Sequence, residues 1–230
     1  AADRLADGAT VTVGASGTLG MSTFNDTITT LDTSGTINGT GTLTASTSYV
    51  LKGGTVNANL GGTGTLTAQT GTTTLHGTSG STTVNVTSGS LKLGTAIDRL
   101  ASGATVTVSS GATLDITGFD QTITTLDSAG TIAGGSGDVL TATTYALKGG
   151  AVNADLGTGT INQSTGSTTL SGSAAATTVN ITGGTLTLGA ADRLADGATV
   201  TVGASGTLGM STFNDTITTL DTSGTINGTG

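Results

Sequence analysis

Residues 2–41, which open Ala-Asp-Arg-Leu-Ala-Asp-Gly-Ala-Thr-Val-Thr-Val, return without a change as residues 191–230, 189 positions later. A related copy starts between them at Asp98-Arg99-Leu100, so Asp3 to Asp98 is 95 residues and Asp98 to Asp192 is 94. Self-similarity at a fixed period confines a chain to solenoid or array architectures, in which each unit contacts only its neighbours. The 230 residues therefore form one continuous body, made of repeats 2–96, 97–190 and a partial third, 191–230, rather than two ordinary domains.

The raw material of the unit is β. Aromatic residues make up 2% of the chain and charged residues 9%, with 40 Gly and no Pro, Cys or Trp. A bulky core cannot be assembled from that mixture. What remains is Val, Ile, Leu and Ala in short segments that alternate with Thr, the pattern of a pleated, half-buried strand. The alternation is too regular for a Gly-rich disordered chain. Helix is confined to single-turn hints such as Ala-Asp-Arg-Leu-Ala at residues 2–6, too short to persist.

About twelve such segments fill the first 95 residues, separated by turns that lack the matched Asn-Gly or Asp-Gly centres of hairpins. Three short strands and three corners make one coil of a parallel β-helix. The expectation is an all-β, parallel β-helix with about four coils of roughly 24 residues per unit, about ten coils in all and a rod near 50 Å long. Gly-Thr-Ile-Asn at 35–38, Gly-Thr-Val-Asn at 54–57 and Thr-Thr-Val-Asn at 82–85 suggest like residues stacked on like. An Asn ladder through Asn38, Asn57, Asn85, Asn153 and Asn180 is expected.

Net charge is −8, and all 14 acids are Asp, a turn residue, with no Glu. The cations Arg4, Arg99, Arg193, Lys52, Lys92 and Lys148 are scattered, which leaves no basic patch for nucleic acid or anionic membrane. No stretch reaches the roughly 20 apolar residues of a membrane span. Residues 1–20 carry no signal-peptide pattern, and the sequence starts and stops inside a repeat, which leaves room for targeting segments outside it.

The run Ala112-Thr-Leu-Asp-Ile-Thr-Gly-Phe-Asp-Gln-Thr-Ile-Thr-Thr-Leu-Asp-Ser-Ala-Gly-Thr-Ile132, with Asp98-Arg-Leu-Ala-Ser-Gly-Ala-Thr-Val-Thr-Val108 before it, resembles the passenger-associated β-strand repeats of bacterial autotransporters and related giant surface adhesins. The resemblance covers nearly the whole chain. It implies a right-handed parallel β-helix exported from a Gram-negative cell, with a stalk, adhesion or biofilm-matrix role and no catalytic residue.

Candidate chemistry is sparse. His76 is the one His, its counterpart in the next unit is Ser171, and it reads as solvent-facing variation. Without a second His, a Cys or a Glu, catalytic triads and most transition-metal sites are gone. Asp115, Asp120 and Asp127 are the acids to check for polysaccharide chemistry of the kind β-helical enzymes perform. Asp127 shares its Asp-x-x-Gly turn with Asp32 and Asp221, and Asp115 corresponds to Gly20. Gly134-Gly-Ser-Gly-Asp-Val-Leu140 approaches a calcium-binding nonapeptide but occurs once. The pairs Thr10/Thr12, Thr42/Thr44, Thr65/Thr67, Thr105/Thr107 and Thr185/Thr187 raise an ice-binding reading, against which their unequal spacing counts. The Asn25 and Asn38 glycosylation triplets match chance in so Asn- and Thr-rich a chain. Phe24, Phe119 and Phe213, like Tyr49 and Tyr145, recur once per unit, as residues that close a corner or cover an apolar column do.

These readings converge on a structural, non-enzymatic extracellular segment, a stalk or fibre of a bacterial surface adhesin or biofilm-matrix protein. They assign no catalytic, cofactor or metal residue and no cofactor. The expected partners are neighbouring repeats or copies stacked end to end, and cell-surface or matrix components. The alternative is a subunit of an end-to-end extracellular filament, with an ice-binding β-helix and a polysaccharide-active enzyme further off.

Overall fold

The computed structural model describes residues 3–230. It is a right-handed all-β solenoid of parallel strands, with no helix among the described residues. Two parallel sheets run its length. The first stacks the strand Thr10–Val13 on residues 30–33, these on 48–51 and these on Thr65–Ala68, and it continues by the same rule up to Thr219–Thr222. The second begins at Thr18–Ser22 and ends at Thr225–Gly228.

Coils are shorter than the sequence suggests, and more numerous. The first sheet passes through twelve coils, and the step between equivalent positions ranges from 16 residues (Thr144 to Thr160) to 22 (Thr83 to Thr105). Five coils, starting at residues 10, 30, 48, 65 and 83, complete a unit before position 105 restarts it. The expected ten coils of 24 residues with three strands each overcount the strands, because the third face is intermittent. It is a strand at residues 26–28, 42–45, Asn59–Gly61 and Val139–Thr141, but only a single bridge at Ser79, Leu100 and Ala174. Twelve coils, spaced about 4.8 Å apart, make a rod about 58 Å long.

Alternation builds the core. In Thr105–Val108 the two valines point inward and are buried, while Thr105 and Thr107 point out. Stacking carries this upward: Val84 lies on Leu66 and under Val106, and Leu114 lies under Ile132. Each fully buried Leu, Ile or Val contributes about 1.5–3 kcal/mol of transfer free energy, before the entropy of ordering the chain is set against it.

Glycine forms the corner between the two sheets. A methyl on Gly35, Gly54, Gly89, Gly130, Gly150 or Gly184 would strike a carbonyl oxygen of the preceding coil. Backbone stacks on backbone there with no room for a side chain. Gly54 and Gly150 also sit at φ +80 and +83, in the left-handed region that costs other residues free energy.

The largest core side chains are Tyr49 and Tyr145, both fully buried one unit apart. The Tyr49 hydroxyl accepts a hydrogen bond from the Ala45 N–H at 2.6 Å and faces the Leu43 carbonyl at 3.0 Å and the Gly61 carbonyl as possible acceptors for its own proton. Tyr145 repeats this with the Ala142 N–H at 2.8 Å and the Leu140 carbonyl at 3.0 Å. Each phenol fills the core where the third face turns into the first sheet and accepts the buried N–H of Ala45 or Ala142 there. Burial pushes both phenols above their ordinary pKa, against the opposing effect of the N–H donated by Ala45 or Ala142.

Candidate functional site

On the first sheet, the first outward position is Thr in eleven coils and Ser48 in the third, an unbroken file from Thr10 to Thr219. The unequal sequence spacing of these residues is absorbed in the corners. The next outward file does not match it, since Thr12, Asp32, Val50, Thr67 and Asn85 follow one another. The five Thr pairs fall on three faces: 10/12, 65/67 and 105/107 on the first sheet, 185/187 on the second and 42/44 on the third. A flat double Thr array does not result.

The expected Asn ladder divides. Asn57 Nδ2 donates to Asn38 Oδ1 at 3.3 Å on the second sheet. Asn180 bonds instead to Asn162 at 2.9 Å on the first sheet, where Asn85 lies between Thr67 and Thr107. The sequence reading passed over Asn162, although Gly159-Thr160-Ile161-Asn162 repeats the Gly-Thr-Ile-Asn phrase of residues 35–38.

His76 is not free in solvent. Its Nδ1 is 2.8 Å from Asn57 Oδ1, so the imidazole ends the stack that begins at Asn38. Its carbonyl accepts a hydrogen bond from Arg99 Nη1 at 2.9 Å. Arg193 does the same to the Ser171 carbonyl, also at 2.9 Å. The repeated Asp-Arg-Leu phrase thus marks a clamp, in which the Arg that opens a unit caps a carbonyl of the coil before it.

The three acids considered for catalysis are taken up separately. Asp115 accepts the Thr117 N–H at 2.9 Å and lies 3.5 Å from Lys92. Asp120 accepts the Val139 N–H at 2.8 Å, and Asp127 pairs with Lys148 at 2.6 Å. Asp32 and Lys52 repeat that last pair at 2.7 Å. In the calcium-like stretch, Asp138 Oδ2 takes the N–H groups of Gly135 and Gly118 at 2.6 and 2.9 Å. Its lone pairs close a turn, and among the described residues no group of three or more His, Cys, Asp or Glu side chains could hold a metal ion.

Carboxylates and amides at the starts of third-face strands tie them to neighbouring coils that have no strand at that point. Asp26 Oδ2 accepts the N–H groups of Arg4 and Leu5 at 2.7 and 3.1 Å. Its counterpart one unit on, Gln121, pairs with both the N–H and the carbonyl of Leu100 at 3.0 and 3.2 Å. Asp26 Oδ1, which has no N–H to offer, is buried without a partner. Asp155 accepts from Ser173 at 2.7 Å and Gly137 at 3.1 Å. Burial would raise its pKa, but those N–H groups, the Ser173 side chain and the Arg193 charge outweigh burial and hold the carboxyl below its ordinary value.

Phe24 sits on a corner turn closed by its N–H to the Met21 carbonyl at 3.0 Å and is 45% exposed, so its ring is not part of the core. Two cavities lined partly by apolar side chains lie at coil faces. One, of about 340 Å³, involves Leu5, Leu19, Met21 and Phe24, and the other, of about 240 Å³, involves Leu208, Ile217, Leu220 and Ile226. No family model, curated protein or solved structure matches the chain, so its reading rests on its own residues.

Proposed function

We propose that this chain is a structural, non-enzymatic extracellular segment, a stalk or fibre of a bacterial surface adhesin or biofilm-matrix protein. The observation that carries the reading is where the polar side chains are used. The Asp–Lys pairs, the Asn stacks, the Arg clamps and the Asp and Gln caps all join one coil to the next. Such a chain uses its chemistry to hold length and spacing. Its dispersed negative charge keeps a strand-rich rod in solution, and the resemblance of residues 98–132 to autotransporter passenger repeats supports a position outside a Gram-negative cell.

The test has two arms. An antibody raised against the folded rod should label intact cells of the bacterium that carries the gene, and protease treatment of whole cells should remove the label. Insertion of one further 95-residue unit should lengthen the purified rod by five coils, about 24 Å at 4.8 Å per coil, in small-angle scattering. Label confined to permeabilised cells would overturn the surface assignment, and a compact particle would overturn the spacer role.

A further inference from the structure

Corner length varies along the rod and carves a trough in the second unit. From the third-face residue to the first sheet, the chain spans five positions in the coils that open a unit, Leu100 to Thr105 and Leu194 to Thr199. In the four coils between them it spans four, as in Leu140 to Thr144 and Leu156 to Thr160. The longer corners fold into turns, closed by the Ala104 N–H on the Ala101 carbonyl at 2.9 Å and the Ala198 N–H on the Ala195 carbonyl at 2.8 Å. The shorter ones lie flat between these two turns and leave an open trough of about 470 Å³ over residues 122–178. Every coil of the trough has a coil above and a coil below it.

The walls of the trough are hydroxyls. Thr122, Thr143, Thr158 and Thr177 are exposed along it, and Thr141 and Thr160 are half-buried. Its floor is Ile123 and Ala142, both buried, and Gly159, where a Cβ would come within 3.0 Å of the Tyr145 ring. Among the described residues no charged side chain lines it. An anion would find no cation there in a chain of net charge −8, a cation would find no carboxylate, and an apolar chain would meet mostly hydroxyls. Hydroxyls both donate and accept, so the ligand that fits is itself polyhydroxylated and uncharged. We propose that this trough binds a neutral, extended β-linked polysaccharide laid along the rod axis. The inference rests on the reading of the chain as an extracellular rod and names a ligand for it.

Spacing supports an extended sugar chain. Outward positions repeat from coil to coil, as in Thr122 beside Thr141 and Thr144 beside Thr160 beside Thr178, at about 4.8 Å per step. A β-linked glucan chain advances by close to that distance per residue, so successive sugars meet equivalent hydroxyls. Four coils give three steps, about 14 Å, which seats roughly three sugar residues. The first unit lengthens these corners. There Leu43 to Ser48 and Leu60 to Thr65 each span five positions, and Ser46 and Thr47 stand where the second unit has Thr143 alone.

Amide NMR of the isotope-labelled 230-residue chain with cellohexaose tests the proposal. An open trough without a stacking ring binds weakly, so the titration runs to about 10 mM against a dissociation constant of about 1 mM. Shifts should be confined to residues 122–124, 141–144, 158–160 and 177–178, with residues 45–48 and 62–65 unmoved. Maltohexaose, whose α-linked chain coils and loses the match to coil spacing, should move neither set. Thr158→Ala should weaken binding roughly fivefold, the worth of one neutral hydrogen bond. Insertion of a serine between Ala142 and Thr143, which copies Ala45-Ser46-Thr47, should abolish it while amides elsewhere keep their positions. No shift with cellohexaose, equal shifts with maltohexaose, or binding that both variants leave unchanged would each overturn the proposal and leave the rod reading standing. Label confined to permeabilised cells, or a compact particle in scattering, would overturn the rod reading itself.

Discussion

Tyr49→Phe removes one oxygen atom from the core and tests whether the buried phenol serves the backbone or merely fills space. The ring stays, so the apolar contacts with Leu31 and Leu66 in its stack are kept. What goes is the acceptor for the Ala45 N–H at 2.6 Å and the donor shared by the Leu43 and Gly61 carbonyls. Ala45 is fully buried, so no water replaces the lost acceptor. An orphaned buried donor costs about 1–3 kcal/mol, so the variant should lose about 2 kcal/mol. With a urea m-value of about 2 kcal/mol per molar, the midpoint should fall by roughly 1 M. Tyr145→Phe should cost the same, and the pair should add, because the two phenols stand five coils, about 24 Å, apart. Amide hydrogen exchange gives the local readout: Ala45 should exchange roughly 30-fold faster, the factor that corresponds to 2 kcal/mol. A midpoint within about 0.2 M of the parent, or unchanged protection at Ala45, would refute the argument and leave Tyr as filler.

Glycine, the third-face caps and the acid limit of stability supply the remaining predictions. Gly150→Ala should cost about 3 kcal/mol or more in urea unfolding, since φ is +83 and the methyl meets the Gly130 carbonyl, whereas Gly103→Ala, with open space around its Cβ position, should be neutral or stabilising by up to about 1 kcal/mol. Asp26→Gln should raise the thermal midpoint, by a gain of about 1 kcal/mol, because the amide supplies the donor that Gln121 gives to the Leu100 carbonyl. Asp155 has a folded pKa below its unfolded one, so its contribution is present above the unfolded carboxyl pKa and disappears as pH falls through the folded value. Asp155→Asn, which copies Asn59 of the first unit, should therefore flatten that acid loss in a melting series while keeping the bond to Ser173.

How much of this was legible in the sequence depended on whether neighbours in sequence were also neighbours in the stack. The alternation at residues 10–13, 105–108 and 199–202 identified parallel strands because each segment carries its own inward and outward pattern. Coil length was not legible, because it is set by corners that stretch from 16 to 22 residues per turn while the strands above and below stay in register. The same elasticity hid the Thr file, whose members sit at irregular sequence intervals and regular spatial ones. Asn25 read as a chance glycosylation triplet and Asp120 as an acid to check for catalysis, and Asp26 and Gln121 were not singled out; all four bond backbone across a coil boundary, a role fixed by a partner 17–22 positions away. His76 read as a variable surface residue because its bonding partner Asn57 belongs to the preceding coil.

Burial in this architecture is a property of position in the stack before it is a property of sequence. Leu31 and Leu220 have identical neighbours for ten residues on either side, yet one is fully buried and the other nearly half exposed, because only Leu31 has a coil laid over it. A core residue of a globular domain meets partners from many parts of the chain, whereas here each meets the coil below and the coil above. Stability is then close to a sum of coil-to-coil terms, and a coil with one neighbour holds about half the contacts of a coil with two. Two consequences follow for the same substitution made at two identical sites. Leu31→Ala opens a cavity between two coils and should cost about 2–5 kcal/mol, while Leu220→Ala removes an already half-wet side chain and should cost about 1 kcal/mol or less. The difference measures what one covering coil contributes.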